Sequence, residues 1–243
     1  MKHVKYNGAL PFETFYVLSD THIDHPNTDM KLLQKHIDMI RDTNKPWIHL
    51  GDWVDAINPL DKRYDIKTIN KETIVDSYEK AFDMFSPISQ QCVAILRGNH
   101  GSKWSKIEGD FIKIFAKRWG IPYLGYCGFI TVSLKGTKHR IWLHHGAGGG
   151  RKRGAKTIRL SEWPLFVDAD IFLQGHTHTY VSFVDEIVTP TRKKLRWFGN
   201  TPGYISSYTG HDDYVEELAL QPQPAGCIRL TLDKGVKIEA VLD

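Results

Sequence analysis

The sequence of 243 residues has few cysteines, no long apolar run and no strong excess of one charge. Its three cysteines (Cys92, Cys127 and Cys227) are scattered and form no CxxC pair, which argues against a secreted disulfide framework and against a thiolate zinc site. No apolar run approaches the roughly 18 residues that a membrane span needs, and no signal-peptide pattern follows Met1. We therefore expect a cytoplasmic protein with no membrane partner.

The charge balance is mildly basic, because 32 lysines and arginines stand against 28 aspartates and glutamates. This balance permits an anionic ligand but does not require nucleic acid. Hydrophobic residues make up 41% of the chain and charged residues 25%, close to the averages for globular proteins, which excludes wholesale disorder. Because no repeat and no linker-like segment is visible, residues 1–243 are predicted to form a single domain, whose oligomeric state the sequence does not indicate.

In the first half of the chain, short apolar runs alternate with helical patterns. The runs predict strands at 15–18, 47–50 and 93–96, and the helical patterns predict helices at 29–42, 71–85 (with Asn70 as its N-cap) and 108–119. Such an alternation of strands and helices implies parallel strands joined by helical crossovers.

After Pro122 the pattern changes to strands in close succession. These strands are predicted at 129–134, 140–145, 171–173, 182–188, 194–198, 227–232 and 236–242, with one helix-like stretch at about 155–167. Lys234-Gly235 is predicted to be the hairpin turn between the last two strands. The two halves together predict an α/β fold in which two sheets pack together with helices outside.

Several predicted strands run into acidic, amide or imidazole side chains. These segments are Asp20-Thr21-His22, Gly51-Asp52-Trp53-Val54-Asp55, Gly98-Asn99-His100, His144-His145-Gly146 and Gly175-His176-Thr177-His178. In open α/β sheets, ligand sites gather beyond the carboxyl ends of the strands, so we expect these side chains to converge. Oxygen donors mixed with imidazoles indicate a site for Mn, Fe, Co, Ni or Zn. Seven donors suit two ions that share one carboxylate.

The five segments, in this order, resemble the calcineurin-like metallophosphoesterase superfamily, whose pattern is DxH, GDxxD, GNH followed by an acid, HG, and GHxH. The match spans residues 20–178, about two-thirds of the chain. The resemblance implies a four-layer α/β/β/α sandwich of two mixed sheets. It assigns Asp20, His22 and His178 to a first metal ion, Asn99, His145 and His176 to a second, Asp52 to both as a bridge, and His100 to a general acid on the leaving oxygen or a contact to the phosphate.

The expected function is that of a dinuclear-metal-dependent phosphoesterase. Two divalent ions, manganese first and Fe, Ni, Co or Zn as alternatives, would lower the pKa of a shared water molecule, and the resulting hydroxide would attack phosphorus in line. A basic, glycine-rich stretch after His145 contains Arg151, Lys152 and Arg153 and is predicted to contact substrate phosphates. It favours DNA, RNA or a nucleotide as substrate, and hence a nuclease, a phosphodiesterase or a polynucleotide phosphatase.

Two alternatives to this function remain. One is a phosphomonoesterase that acts on phosphoproteins or small molecules. The other is a non-catalytic metal-binding module on the same fold, because Gly101 occupies the position at which the superfamily has an acid after GNH. Another acid would then have to reach His100, and Asp24 is near the first motif. The basic stretch has its own alternative, a solvated loop or ion pairs with Asp168 and Asp170.

Other residues also have two interpretations. His144 and His145 point to opposite sides of a strand, and the position before the glycine favours His145 as the ligand. Asp55 is equally expected to brace its turn or to take part in the chemistry. The basic cluster at 192–196 is predicted to be a solvated turn. Two irregular segments, 56–70 and 201–226 (which contains Tyr204, Tyr208 and Tyr214), are expected either to stack a base or to pack over a sheet edge.

Overall fold

The computed structural model of the protein describes residues 1–6, 13–57, 73–105, 109–148, 150, 153–209, 214–217, 219–233 and 235–242. The strands are β1 (His3–Tyr6), β2 (Thr14–Leu18), β3 (Trp47–His49), β4 (Cys92–Leu96), β5 (Tyr123–Gly125), β6 (Cys127–Leu134), β7 (Thr137–His144), β8 (Ile171–Gln174), β9 (Val181–Val188), β10 (Lys193–Asn200), β11 (Cys227–Thr231) and β12 (Lys237–Val241). The helices are α1 (Met30–Thr43), α2 (Ile74–Phe85), α3 (His100–Ser105), α4 (Phe111–Trp119), α5 (Arg153–Glu162) and α6 (Tyr214–Glu217). None of the helices in the described part of the chain is long and apolar enough to cross a membrane.

The strands form two mixed six-stranded sheets. The first sheet has the order β12-β11-β2-β3-β4-β5, in which β2 to β5 run parallel and β11 and β12 are antiparallel. The second sheet has the order β1-β6-β7-β8-β10-β9 and also combines parallel and antiparallel pairs. The predicted α/β class with two mixed sheets is therefore confirmed.

The apolar side chains divide into three buried clusters that define four layers. Between the sheets, Val17 and Ile48 of the first sheet share a cluster with Ile141 and Leu173 of the second. On the outer face of the first sheet lie apolar side chains of α1, α2 and α4, and on the outer face of the second sheet lies Leu160 of α5. Each sheet thus buries both faces, one against the other sheet and one against helices, which is the predicted α/β/β/α sandwich.

The predicted helix boundaries were wrong where local capping determines the start of a helix. Helix α2 begins at Ile74, because Thr73 and Asp76 form a reciprocal capping box, whereas Asn70 lies outside the described residues. Helix α4 begins at Phe111, where the side chain of Asp110 accepts the backbone N–H of Lys113. Helix α5 ends at Glu162 and gives way to a single 3-10 turn over Trp163–Leu165.

Each sheet contains strands from both halves of the sequence, a pairing that the sequence analysis left open. Strand β1, at the N-terminus, pairs with β6 in the second sheet, and β11 and β12, at the C-terminus, complete the first. Strand β1 was missed because its four residues are alternately exposed and half-buried and form no apolar run. The predicted hairpin of the last two strands is confirmed by their antiparallel pairing, although Lys234 lies outside the described residues.

Candidate metal centre

The five predicted segments stand at the carboxyl ends of β2, β3, β4, β7 and β8, as expected. Five non-glycine residues in them have left-handed backbone conformations: φ is 52° at Asp20, 36° at His22, 51° at Asp52, 71° at His176 and 46° at His178. Such conformations are unfavourable for residues with a side chain and concentrate at functional sites, where the surrounding structure enforces them. The strained residues are also the ones whose side chains the sequence singled out.

Two glycines allow the strand ends to approach closely. A Cβ at Gly98 would lie 1.7 Å from Oδ1 of Asp52, and a Cβ at Gly175 would lie 2.6 Å from Oδ2 of Asp20. Neither position can therefore hold a side chain without displacing a predicted ligand. Nearby backbone N–H groups bind the two carboxylates instead: His100, two residues after Gly98, donates to Oδ1 of Asp52 at 3.0 Å, and His176, directly after Gly175, donates to Oδ2 of Asp20 at 2.8 Å.

The first group of predicted ligands comes together around one oxygen. Oδ1 of Asp20 lies 3.5 Å from Nε2 of His178 and 4.0 Å from Nε2 of His22. The ligand atoms of all three residues are within 4.8 Å of one another, and Asp20 and His22 are buried. The structure therefore places side by side the three residues predicted to hold the first ion.

A second group lies next to the first and shares Asp52 with it. Oδ2 of Asp52 is 3.1 Å from Nε2 of His145 and 4.0 Å from Nε2 of His22. His176 completes a cluster with Asp52 and His145, and Oδ1 of Asn99 is 2.8 Å from Nε2 of His145. All seven predicted ligands thus lie in one site, with Asp52 between the two groups.

Unpaired buried atoms indicate that these groups fit cations. Oδ1 of Asp20 and Nε2 of His22 are buried and have no hydrogen-bond partner among the described residues, although buried polar atoms normally have one. Both atoms point toward the same space. Carboxylate oxygens, imidazole nitrogens and one amide oxygen are the donors that divalent Mn, Fe, Co, Ni and Zn accept.

The electrostatics of the site also favour cations. Burial alone would raise the pKa of Asp20 and of Asp52, but the imidazoles of His178 and His145 respectively outweigh it and hold both pKa values below the usual range, so both side chains are anionic. Burial likewise favours a neutral His22, yet Asp55, Asp52 and Asp20 together raise its pKa to about 9. The three carboxylates that cause this shift would also favour a cation at this position.

Asp55 supplies the acid that the sequence left unassigned for His100. Oδ1 of Asp55 lies 2.6 Å from Nδ1 of His100 and 3.4 Å from Nδ1 of His22. Nε2 of His100 is 3.8 Å from Oδ2 of Asp52, so the opposite edge of the ring faces the metal groups. Asp24, the other candidate, instead accepts the backbone N–H groups of Asp55 and Ala56 and so holds the turn that presents Asp55.

Gly101 has a steric reason for its identity. A Cβ at this position would lie 2.7 Å from the hydroxyl oxygen of Tyr78, a buried side chain of α2. An acid after GNH would therefore require Tyr78 to move.

The two adjacent histidines separate as expected from strand geometry. His145 is fully buried in the second group of ligands, whereas His144 packs its ring against Trp163 at a centroid distance of 4.4 Å. Nδ1 of His144 accepts the backbone N–H of Gly146 at 2.7 Å, and burial lowers the pKa of His144 to about 4. His144 therefore packs against Trp163 and does not join the metal groups.

The basic stretch is only partly described. Arg151 and Lys152 lie outside the described residues, and Arg153 begins α5. The alternative that this stretch pairs with Asp168 and Asp170 concerns side chains outside the described residues; among the described ones, these two acids pair with Arg140, Lys194 and Arg196. The basic cluster at 192–196 begins at the turn of the β9–β10 hairpin, where Arg192 is exposed, and continues into β10, which contains Lys194 and Arg196; the predicted turn is therefore confirmed for the first residue of the cluster.

Of the two alternatives for the segment at 201–226, Tyr204 follows packing and not base stacking, because it is fully buried and its hydroxyl group is hydrogen-bonded to Nδ1 of His36 at 2.8 Å. Its backbone N–H donates to the carbonyl oxygen of Asp20 at 3.1 Å, so Tyr204 holds the backbone of a predicted metal ligand. Tyr208 is about half exposed and donates to the carbonyl oxygen of Leu220. The side chain of Tyr214 and residues 58–72 of the other irregular segment lie outside the described part.

Lys156 supports the ligand loop of His176 and His178, a role that the sequence pattern did not indicate. Its Nζ donates to the carbonyl oxygen of Thr177 at 3.1 Å and to the hydroxyl oxygen of Thr179 at 2.6 Å. Thr177 separates two residues in left-handed conformations, so this ammonium group holds the loop between them. In the sequence Lys156 was only one of several cations near the glycine-rich stretch.

We expect Lys156→Met to weaken divalent-metal binding about tenfold, because loss of a group that orients ligands commonly costs 10- to 100-fold in affinity. Calorimetric titration of metal-free protein with Mn²⁺ measures the change. Arg159→Met, on the same helix but paired with Glu162 at the surface, is the matched control and should bind as the unaltered protein does. Equal losses in both variants would contradict a role for Lys156 in the ligand loop.

Comparison with known proteins gives similarity at the level of solved structures. No family model matches the chain, and no curated protein matches it. Among solved structures, it is similar to Yfce, a phosphoesterase from E. coli (16% identity, 94% of this chain and 98% of that chain, TM-score 0.46). It is also similar to a predicted phosphoesterase from Streptococcus pneumoniae (19% identity, 94% of this chain and 88% of that chain, TM-score 0.42). A double mutant of Vps29 from Entamoeba histolytica is similar as well (16% identity, 94% of this chain and 98% of that chain, TM-score 0.46).

The chain's own architecture is an α/β/β/α sandwich. Two mixed sheets lie between helical layers, with the five motifs in order at the strand ends, which is the arrangement that the sequence resemblance implies. Within that fold, the described residues include groups able to hold divalent metals.

Proposed function

We propose that the protein is a phosphoesterase that uses two divalent metal ions. The observation that carries the proposal is the pair of ligand groups that share Asp52, beside the His100–Asp55 pair. Asp20, His22 and His178 would hold one ion, Asn99, His145 and His176 the other, and Asp52 both. When bound, such ions polarise phosphate oxygens and lower the pKa of a water molecule toward neutrality.

Side chains of the protein would attract the anionic ester and transfer a proton to its leaving oxygen. Asp20 and Asp52 carry two negative charges, which do not neutralise two divalent ions, so the loaded site would favour an anionic ester. Asp55 accepts a hydrogen bond from Nδ1 of His100, and Nε2 of His100 faces the site. In that orientation His100 can protonate the leaving oxygen of an ester or hold it by a hydrogen bond. No side chain in the scheme serves as a covalent nucleophile.

For the substrate, we favour DNA, RNA or a nucleotide, with a nuclease, a phosphodiesterase or a polynucleotide phosphatase as the specific forms. Support comes from the basic sequence of Arg151, Lys152 and Arg153, which enters α5 shortly after His145. Manganese is the ion we would test first. The second candidate function is a phosphomonoesterase for phosphoproteins or small molecules, which would use the same ligands.

The expected result is that purified protein with Mn²⁺ hydrolyses a bis-aryl phosphate diester and that a chelator abolishes the reaction. A panel of monoesters, single- and double-stranded DNA, RNA and nucleotides, run with each candidate ion, identifies the substrate class. If a nucleic acid is preferred, binding should weaken steeply as salt rises, because phosphate contacts release counterions. Folded, metal-loaded protein that is inactive on the whole panel would favour the non-catalytic metal-binding module instead.

A further inference from the structure

His49 is a fully buried histidine that lies outside the ligand groups and contacts two of the turns that carry them. It is the last residue of β3, three positions before Asp52. Its Nδ1 accepts the backbone N–H of Gly51 at 3.1 Å, and its Nε2 lies 3.3 Å from the hydroxyl oxygen of Thr21. Thr21 stands between Asp20 and His22, so one imidazole joins the DxH turn to the GDxxD turn.

The hydrogen bonds fix the tautomer of this ring. The hydroxyl group of Thr21 donates to the carbonyl oxygen of Trp53 at 3.1 Å, so its oxygen is free to accept the N–H at Nε2 of His49. Nδ1 must then be unprotonated in order to accept from Gly51. His49 is therefore neutral in this arrangement, and its burial, which lowers its pKa to about 3, agrees with that assignment.

The turns that His49 joins are strained and pair with each other through their backbones. Asp20 donates its N–H to the carbonyl oxygen of Gly51 at 2.9 Å, and His22 donates to that of Asp52 at 3.2 Å. All three ligand residues in these turns have left-handed conformations. Such conformations persist only where the surrounding structure enforces them.

Packing holds the ring of His49 in place. It stacks on Trp53 with a centroid distance of 3.7 Å and an interplanar angle of 22°. Nε1 of Trp53 in turn donates to the carbonyl oxygen of Leu96, at the end of β4 and just before the GNH motif. The ring thus contacts two of the five segments directly, and through Trp53 it reaches the end of the strand that leads into a third.

We propose that His49 is a positioning residue that keeps Asp20, His22 and Asp52 in the arrangement that binds the ions. This inference rests on the proposed function, because it concerns the same site. His49 does not touch the substrate in this scheme. It acts through Thr21 and Gly51 on the direction of the ligand side chains.

The test compares the Mn²⁺ affinity and the thermal unfolding midpoint of metal-free variants. His49→Leu removes both hydrogen bonds, and His49→Asn retains an acceptor for the N–H of Gly51 but loses the link to Thr21. Ile48→Ala is the matched control, because Ile48 is equally buried in β3 but faces the cluster between the sheets. We expect His49→Leu to weaken Mn²⁺ binding about 10- to 100-fold, as for other groups that orient ligands, and His49→Asn to lie between it and the unaltered protein. Ile48→Ala should lower the midpoint without this loss of affinity.

The outcomes distinguish failure of this inference from failure of the proposed function. Unaltered affinity in His49→Leu, or the same loss of affinity in Ile48→Ala, would overturn the positioning role alone. An unaltered protein that bound no Mn²⁺ would overturn the proposed function, and this inference with it. If His49→Leu does not fold, His49→Asn serves for the same comparison.

Discussion

Replacing His100 with asparagine is expected to lower turnover about 10²- to 10⁴-fold, the usual contribution of a general acid, while bound metal stays at two ions per chain. The reason is geometric. Nδ1 of His100 is held by Asp55 at 2.6 Å, and the remaining nitrogen faces the site at 3.8 Å from Asp52. An asparagine amide can replace the contact to Asp55 but cannot supply an acidic proton to a leaving oxygen.

The measurement is steady-state turnover on a diester together with metal content after dialysis. His144→Asn is the matched control, because His144 packs against Trp163 outside the ligand groups, and it should keep both activity and metal. His22, Asp52 and His100 also lie close enough to hold one ion. Loss of one ion in His100→Asn would therefore identify His100 as a ligand and contradict its assignment as the acid.

The convergence of the strand-end side chains could be predicted from the sequence, because the features that build it are local. Four of the five strand ends carry their polar side chains within one or two residues of a glycine, as at Gly51-Asp52 and Gly98-Asn99. Parallel strands bring such ends to one edge of a sheet, so the order of the motifs along the chain was enough to predict their convergence. Alternation along β7 likewise predicted that His144 and His145 would separate.

Contacts between distant segments were not predictable in the same way. Asp55 and His100 are 45 positions apart, and their pairing depends on how Asp24 holds the turn around Asp55. His49 looks like an ordinary strand residue in the sequence, because its two partners become neighbours only when the first and second motifs pack together. Lys156 of α5 donates to Thr177 in the loop that follows β8, and no spacing in the sequence predicts this contact.

The mixing of strands from both halves in each sheet is a further example. β1 and β12 are short, partly exposed segments whose pairing depends on which sheet edge is left open by the central strands. Tyr204 was ambiguous for a related reason, since an aromatic residue in an irregular segment can either stack a ligand or be buried. Its hydrogen bond to His36 and its backbone contact to Asp20 decide in favour of burial.

Asp52→Asn is expected to have the largest effect on metal binding, leaving at most one ion per chain and turnover at background. Asparagine keeps the size of the side chain and an oxygen that can accept the N–H of His100. In the unaltered protein this N–H lies 3.0 Å from Oδ1 of Asp52. It removes the negative charge that lies 3.1 Å from His145 and 4.0 Å from His22, one residue from each ligand group. A neutral amide cannot bridge two cations as a carboxylate does.

Metal content after dialysis against excess Mn²⁺, with calorimetric titration of the metal-free protein, measures this effect. Asp168→Asn is the control, because Asp168 is largely exposed and pairs with Arg140 away from the site, and it should retain two ions. The unfolding midpoint of the metal-free protein shows whether Asp52→Asn has folded. A folded Asp52→Asn that kept two tightly bound ions would mean that each ligand group binds independently, and the shared-carboxylate centre would have to be replaced by two separate single-ion sites.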